Sequence, residues 1–251
     1  MDLSFSIPLL AGVMSVFLLA GFTKGVTGLG LPTVGVGLLS LFMAPAQAAA
    51  LVILPSLLTD LWQMTGAALP GLLRRLWPML GAIVLGCWAG RGLLTGDSAW
   101  IGQEALGLVL VAYALFGLSP LRLPAVPPRR EAWLGPLAGL CTGLLTAATG
   151  VFVLPAVPYL QALSLERPAL MQALGLSFTT STLALAAVLA DGGALDGTGA
   201  MGSALALLPA LLGMLLGQWL QQRLRPAVFR RIFFGGLLLL GAHLLLRGLL
   251  G

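Results

Sequence analysis

Ten apolar runs divide this chain, and they constrain its fold more than any other feature. They occupy residues 4–23, 28–43, 46–65, 76–94, 100–118, 133–148, 150–163, 169–190, 199–221 and 227–247. A helix needs roughly 20 apolar residues to cross a bilayer, whereas the strands of a membrane barrel alternate in polarity. Only 8% of the residues are charged, too few to cover a surface in water. The sequence predicts an all-α polytopic membrane protein with about eight to ten transmembrane or re-entrant helices.

The segments repeat in the same order, which predicts two homologous halves. Each half has two short or broken segments followed by three ordinary ones. The halves are residues 1–118 and 133–251. Between them lies 119–132, SPLRLPAVPPRREA, whose prolines and arginines are typical of an exposed linker.

Arginines mark one side of the predicted membrane domain. If each short pair makes a there-and-back hairpin, the basic loops lie in the cytoplasm, and the acidic loop 191–198 and both termini lie outside. Arg91 and Arg247 are the exceptions. Five crossings per half make the second half enter from the opposite side, which predicts an inverted repeat. The basic loops contain Arg74, Arg75, Arg122, Arg129, Arg130, Arg167, Arg223, Arg225, Arg230 and Arg231.

Two stretches broken by glycine and proline occupy matching places in the two halves. Segments 28–43, 133–148 and 150–163 are short, and we expect re-entrant hairpins that meet near the midplane; tilted helices with small-residue packing faces are the alternative. Helix N-termini at such breaks would turn free N–H groups towards an anion, so both breaks are predicted to form one central site. The residues concerned are Gly28, Gly30, Pro32, Thr33, Thr149 and Gly150.

Polar side chains lie along one face of the helix that follows each break. Such faces inside apolar helices turn towards a cavity or towards other helices. We favour a cavity lining that contacts substrate, with interhelical hydrogen bonding as the alternative. The candidate residues are Gln47, Ser56, Gln172, Ser177 and Thr180.

Lys24 is the only lysine, and Asp60 is the only acid well inside an apolar segment. A charge near the bilayer centre costs roughly 2.5–3.5 kcal/mol on insertion scales. Asp60 is therefore a candidate proton-coupling residue. The alternative is a structural pair in which Lys24 and Asp60 neutralise each other. Lys24 is also placed to attract an anion.

Enzymatic chemistry has little support in the sequence. His243, Cys87 and Cys141 are isolated and form neither a metal cluster nor a nucleophile with a base. No nucleotide-binding loop and no basic patch interleaved with aromatics is found. We therefore expect no catalysis, no metal, no cofactor and no nucleic-acid partner.

The two broken stretches, GFTKGVTGLGLPTVGVGLL and GLLTAATGVFVLP, are each followed by a Ser/Thr-bearing helix, LVILPSLLTD and LGLSFTTSTLAL. In these features the chain resembles the sulfite exporter TauE/SafE family, also called the toluene sulfonate uptake permease family. The resemblance implies a multi-pass secondary transporter of sulfite, organosulfonates or related small anions in the bacterial inner membrane. A passive anion channel or a flippase is the alternative. Protons are the candidate coupling ion, and the small-residue faces permit a homodimer.

Overall fold

The protein, seen in a computed structural model, is described for residues 7–95, 99–120, 123–195, 197–223 and 225–250. These residues form ten helices and no strand, which confirms the all-α prediction. The helices are α1 (Ile7–Thr27), α2 (Leu31–Leu39), α3 (Pro45–Met64), α4 (Leu69–Ala89), α5 (Ala99–Leu118), α6 (Pro128–Thr149), α7 (Ala156–Ala162), α8 (Arg167–Asp191), α9 (Gly197–Gln221) and α10 (Pro226–Leu250). Seven of them, α1, α3, α4, α6, α8, α9 and α10, are long and apolar enough to cross a membrane.

Two predicted helix boundaries are wrong, for one reason. The run 133–148, predicted as short, belongs to the 22-residue α6, which begins at Pro128 and carries Glu131 in its first turn. Arg74 and Arg75, predicted in a loop, lie inside α4. Apolarity marks the part of a helix in hydrocarbon, whereas the helix itself continues through charged residues that reach the headgroup region. Arg122 and Asp196 lie outside the described residues.

The short helices α2 and α7 follow the two predicted breaks. They have 9 and 7 residues, too few to cross a membrane. Helices α1 and α3 run in the same direction, because Val13 and Leu51 line one small cavity while Lys24 contacts Asp60 towards the other ends. α2 therefore returns between them, as the predicted there-and-back hairpin requires.

Glycines bring the backbones of two helix pairs into contact. In the α1–α9 pair, a Cβ on Gly21 would collide with the carbonyl oxygen of Ala210. In the α4–α6 pair, a Cβ on Gly143 would collide with that of Ile83. Small residues allow such close approach between membrane helices. Each pair joins the first helix of one half, α1 or α6, to a helix of the other half, α9 or α4. This exchange agrees with two similar halves, whose inverted orientation stays a prediction.

The long helix α3 is held at its internal proline by a residue of α9. Pro55 has no N–H and leaves the carbonyl of Leu51 without its usual helical donor. The Ser203 hydroxyl donates to that carbonyl at 2.9 Å and accepts from the Leu54 N–H at 3.1 Å. Ser203 thus satisfies the interrupted helix and fixes α3 against α9.

Candidate functional site

The first break follows α1 and has a defined turn. The Thr27 hydroxyl donates to the Thr23 carbonyl at 2.9 Å and accepts from the Leu29 N–H at 3.1 Å. Gly28 and Gly30 have φ of 74° and 104°, a left-handed conformation that favours glycine. Gly30 is the residue that precedes α2, so the turn redirects the chain and starts the short helix.

The second break, after α6, has the same local geometry. The Thr149 hydroxyl donates to the Leu145 carbonyl at 2.7 Å and accepts from the Val151 N–H at 3.1 Å. Gly150 has φ of 72°, close to that of Gly28. Each half thus uses a Thr-Gly turn in which the threonine replaces the missing helical partners. The surroundings of the second break differ from those of the first, however, because the residues that follow its turn, Val151, Phe152 and Val153, are buried.

The two breaks do not converge on one central site, contrary to the expectation from the sequence. Gly28 lies beside Met171 at the start of α8, and Gly150 lies beside Ala49 at the start of α3. Helices α3 and α8 are antiparallel, since Gly175 contacts Met64 whereas the later Thr182 bonds the earlier Asp60. The starts of α3 and α8, and with them the two breaks, therefore lie at opposite ends of this helix pair.

A cavity of about 610 Å³ opens at the end where the first break lies. The ends of α1, α5 and α9 and the starts of α8 and α10 form its wall, and α7 contributes as well. Its polar groups include two arginines and three glutamines, and no Asp or Glu is among the described residues that line it. These groups are Arg167, Arg230, Gln161, Gln221 and Gln222. The lining therefore favours an anion over a cation.

Aromatic side chains form a continuous side of this cavity. The rings of Phe229 and Phe233 stack at 6.2 Å with 9° between their planes. Phe233 then meets Phe234 at 4.9 Å, and Phe234 meets Tyr113 edge-on at 5.2 Å. Phe233 also faces Gly30 of the first break, where a Cβ would lie 3.5 Å from its ring. The cavity thus joins positive charge at its mouth to an apolar wall.

A buried ion pair joins α1 to α3, and its lysine lies three residues before Thr27 of the cavity wall. The Lys24 ammonium contacts the Asp60 carboxylate, and the two residues are 4% and 0% exposed. Thr182 of α8 donates a long hydrogen bond of 3.5 Å to the other carboxylate oxygen. Ionised groups are tolerated in an interior when they are paired in this way. The structure therefore brings together both predicted coupling residues, Lys24 and Asp60.

Two side chains, those of Gln63 and Met171, lie towards the cavity from Asp60 along α3 and α8 and are named here the Gln63–Met171 layer. Gln63, nearly one turn after Asp60, donates to the Met171 carbonyl at 3.1 Å. The Met171 side chain lines the cavity and packs against Gly28. Both side chains are flexible, and neither is charged.

The family model described as "Sulfite exporter TauE/SafE" matches residues 13–244, nearly the whole chain. This protein belongs to the sulfite exporter TauE/SafE family. Comparison with curated proteins and with solved structures gave no match. The family membership, together with the seven apolar helices, makes the chain a multi-pass membrane transporter. In this TauE/SafE protein the cavity, the breaks and the ion pair all fall inside the matched residues.

The other predicted site residues of the TauE/SafE protein occupy varied surroundings. Thr33, Ser56 and Ser177 are buried, and their hydroxyls have no hydrogen-bond partner among the described residues. Pro32 is buried in the first turn of α2. Thr180 is half-buried and donates to the Leu176 carbonyl at 3.0 Å. A role of these residues in substrate binding stays a prediction.

The two glutamines of the prediction are separated in the TauE/SafE protein. The Gln172 side chain accepts from the Ala68 N–H at 3.1 Å and so satisfies the start of α4. Gln47 is exposed at the start of α3, at the end of the α3–α8 pair away from the cavity. Gln172 therefore has a structural bond at the cavity end, and the structure does not bring Gln47 to it.

Several residues that line the cavity of the TauE/SafE protein were not predicted as site residues from the sequence. Arg167 and Arg230 were predicted only as topology signals, and Gln161, Gln221 and Phe233 were not predicted at all. The signal for Gln221 was the amide-rich end of α9, where an apolar stretch finishes in GQWLQQR, whereas Gln161 had no such signal. For metals, no group of three His, Cys, Asp or Glu that could hold an ion occurs among the described residues.

Proposed function

We propose that this protein carries small sulfur-containing or organic anions across the bacterial inner membrane by alternating access, with protons as the coupling ion. The observation that carries this proposal is the cavity, which Arg167 and Arg230 line without any acid among its described residues. The positive-inside rule assigns the basic loops, and with them this cavity, to the cytoplasmic side. The arginines at the mouth, which have no salt-bridge partner among the described residues, would concentrate anions there.

The size and the wall of the cavity support an organic anion over bare sulfite. Pockets of about 300–1,000 Å³ suit ligands larger than a three-oxygen ion. The cavity has about 610 Å³, and Phe229, Phe233 and Phe234 would contact an apolar substrate body. An organosulfonate or a similar anion combines that body with a negative group for Arg230. We therefore propose organosulfonate-like anions as the substrate class.

The contrast between the breaks supports a carrier over an open channel. The first break contributes Thr27 and Leu29 to the cavity, whereas Thr149 and Val151 of the second break are buried. In our proposal, residues 1–118 and 133–251 form the inverted halves, and their relative movement closes the first break and opens the second. The substrate would pass between Thr33, Ser56 and Ser177 on the way. Catalysis has no part in this proposal.

Flux into proteoliposomes tests the function directly. Radiolabelled benzenesulfonate should enter in a saturable manner, sulfite should compete, and choline should not. Arg230→Gln should raise the KM about fivefold, since a solvated charge pair contributes about 1 kcal/mol. Arg231→Gln is the matched control, because Arg231 is adjacent and exposed but does not line the cavity. Equal effects of both variants, or no saturable anion flux, would contradict the proposal.

A further inference from the structure

The Lys24–Asp60 pair is electrostatically isolated. The charged or polar partners of Asp60 among the described residues are Lys24 of α1 and Thr182 of α8. Helices α2 and α9, which pack against α1 and α3, contain no ionisable residue in their sequences. Helix α8, which packs against α3, has Arg167 and Asp191 only at its two ends. Helix α5, which touches α3, contributes Glu104 and Tyr113. Among the residues that the structure describes, Asp60 is the one salt-bridge partner of Lys24. Within the described ranges, the charge on either member is therefore compensated by the other alone.

This isolation restricts which charge states the site tolerates. The resting pair is neutral. If Asp60 alone took up a proton, Lys24 would remain as an uncompensated buried cation. If an anion alone entered beside Lys24 and Asp60, the site would hold one buried negative charge in excess. Uncompensated charge in a low-dielectric interior is strongly unfavourable. The neutral alternative is a protonated Asp60 together with an anion bound to Lys24.

We propose that Lys24 exchanges Asp60 for the transported anion when Asp60 takes up a proton, so that one proton and one anion cross together. The proton comes from water and binds an Asp60 carboxylate oxygen, and the freed ammonium pairs with the anion. On the other side the anion leaves, the proton returns to water, and the original pair re-forms. This inference rests on the proposed function and deepens it, because it defines the coupling and the favoured charge of the substrate.

The structure provides a short path for this exchange. Thr27, one helical turn after Lys24, lines the cavity, and Met171 lies between the cavity and Gly28. The Lys24 side chain has a flexible four-carbon stem. Once released from Asp60, its ammonium needs only the Gln63–Met171 layer to move in order to meet an anion from the cavity. Thr182 remains to hold the protonated carboxyl in place.

Electrical behaviour follows from the exchange. A monoanion and a proton carry no net charge together, so their entry should not respond to membrane potential. A dianion moving with one proton carries net negative charge and should respond. An inward proton gradient would drive accumulation of the monoanion. The inference therefore favours singly charged substrates under conditions where the potential is negative inside.

Proton uptake on binding is the first measurement. Purified protein in weakly buffered detergent receives benzenesulfonate, a monoanion across the pH range used, and a pH dye reports proton uptake. We expect about one proton per bound anion, and an affinity that falls about tenfold per pH unit once Asp60 is ionised. Over the pH range in which Lys24 stays protonated, Asp60→Asn should bind benzenesulfonate with proton uptake near zero and with affinity independent of pH.

Transport measurements complete the test. In proteoliposomes, wild-type benzenesulfonate entry should acidify the lumen at equal stoichiometry and be insensitive to a potassium diffusion potential, whereas m-benzenedisulfonate entry should be sensitive. Asp60→Asn should exchange benzenesulfonate across the membrane but lose accumulation driven by a proton gradient. Glu131→Gln is the control, because it removes the exposed Arg75–Glu131 pair, at 2.6 Å, and should leave coupling unchanged.

Possible misfolding is controlled by a second variant. Lys24→Met combined with Asp60→Asn removes both charges and keeps the site neutral, so it should fold but neither take up protons on addition of benzenesulfonate nor transport it. Anion binding without proton uptake in the wild type, or proton coupling that persists in Asp60→Asn, would overturn the exchange and leave the transport function standing. Absence of any benzenesulfonate binding and flux would overturn both.

Discussion

The two Thr-Gly turns have nearly the same backbone and very different surroundings. Thr27 and Thr149 make equivalent hydrogen bonds, and the glycines that follow them have φ of 74° and 72°. Yet the first turn borders a cavity, whereas the second is buried under α2 and α3. Local sequence therefore determines the turn, and tertiary packing determines which turn is accessible. In our proposal, this difference corresponds to a transporter that is open on one side.

The largest expected difference between the turns comes from replacing their glycines. In Gly150→Ala the new Cβ would lie 2.9 Å from the Ala49 Cβ, on a helix that cannot move easily. Overpacking and left-handed strain together should cost about 2–5 kcal/mol of unfolding free energy. In Gly28→Ala the neighbour at 2.7 Å is the flexible Met171 thioether, so only about 1–2 kcal/mol of strain should remain.

Thermal unfolding in detergent checks this pair, with Gly235→Ala as the control, because a Cβ there meets nothing within 4 Å. Gly150→Ala should lower the Tm more than Gly28→Ala, and Gly235→Ala should not lower it. An equal loss for both turn variants would mean that the second turn is as open as the first.

The threonines should differ in the same sense and less strongly. Thr149→Val leaves the buried Val151 N–H without a hydrogen-bond partner, which should lower the free energy of unfolding by about 1–3 kcal/mol. Thr27→Val should cost about 1 kcal/mol or less, because water in the cavity can replace the lost bond to Leu29. Urea unfolding, followed by tryptophan fluorescence, measures both. Thr142→Val, which removes only a helix back-bond to Ala138, is the control and should change little.

Chemical accessibility gives the smallest expected contrast and the most direct one. The background for labelling is Cys87→Ser, Cys141→Ser. In it, Leu29→Cys should react with a membrane-impermeant maleimide from the cytoplasmic side about tenfold faster than Val151→Cys. A tenfold difference in rate corresponds to about 1.4 kcal/mol more free energy to expose Val151→Cys. Benzenesulfonate should slow labelling of Leu29→Cys and speed labelling of Val151→Cys from outside. Fast labelling of Val151→Cys at rest, without ligand, would remove the asymmetry.

The fold was largely predictable because hydrophobic length is a direct physical signal in a membrane. The order of ten segments matches the ten helices in the described residues, and α2 and α7 are short as expected. The start of α6 was not predictable in this way. Its first turn, which begins at Pro128 and contains Glu131, is helical although it is not apolar. Hydropathy reports depth in the bilayer, and helix ends depend on local turn chemistry as well.

In the candidate site, the pairing of two residues could be anticipated only because each is unusual by itself. Lys24 and Asp60 are such residues, and the structure pairs them. Gln161 and Phe233 are ordinary in sequence and gain a role only because distant helices meet at the cavity. Convergence of the two breaks failed as an expectation because antiparallel α3 and α8 carry them to opposite ends. Such relations depend on packing that spacing along a single chain does not contain.

The glycine contact between α1 and α9 has a consequence for biosynthesis. α1 is made first, whereas its partner α9 begins roughly 170 residues later. At about 5–20 residues per second, α1 waits on the order of ten to thirty seconds in the lipid with its small-residue face uncovered. α6, in contrast, emerges when its partner α4 is already present. One helix pair is therefore assembled during synthesis, and the other only near its end.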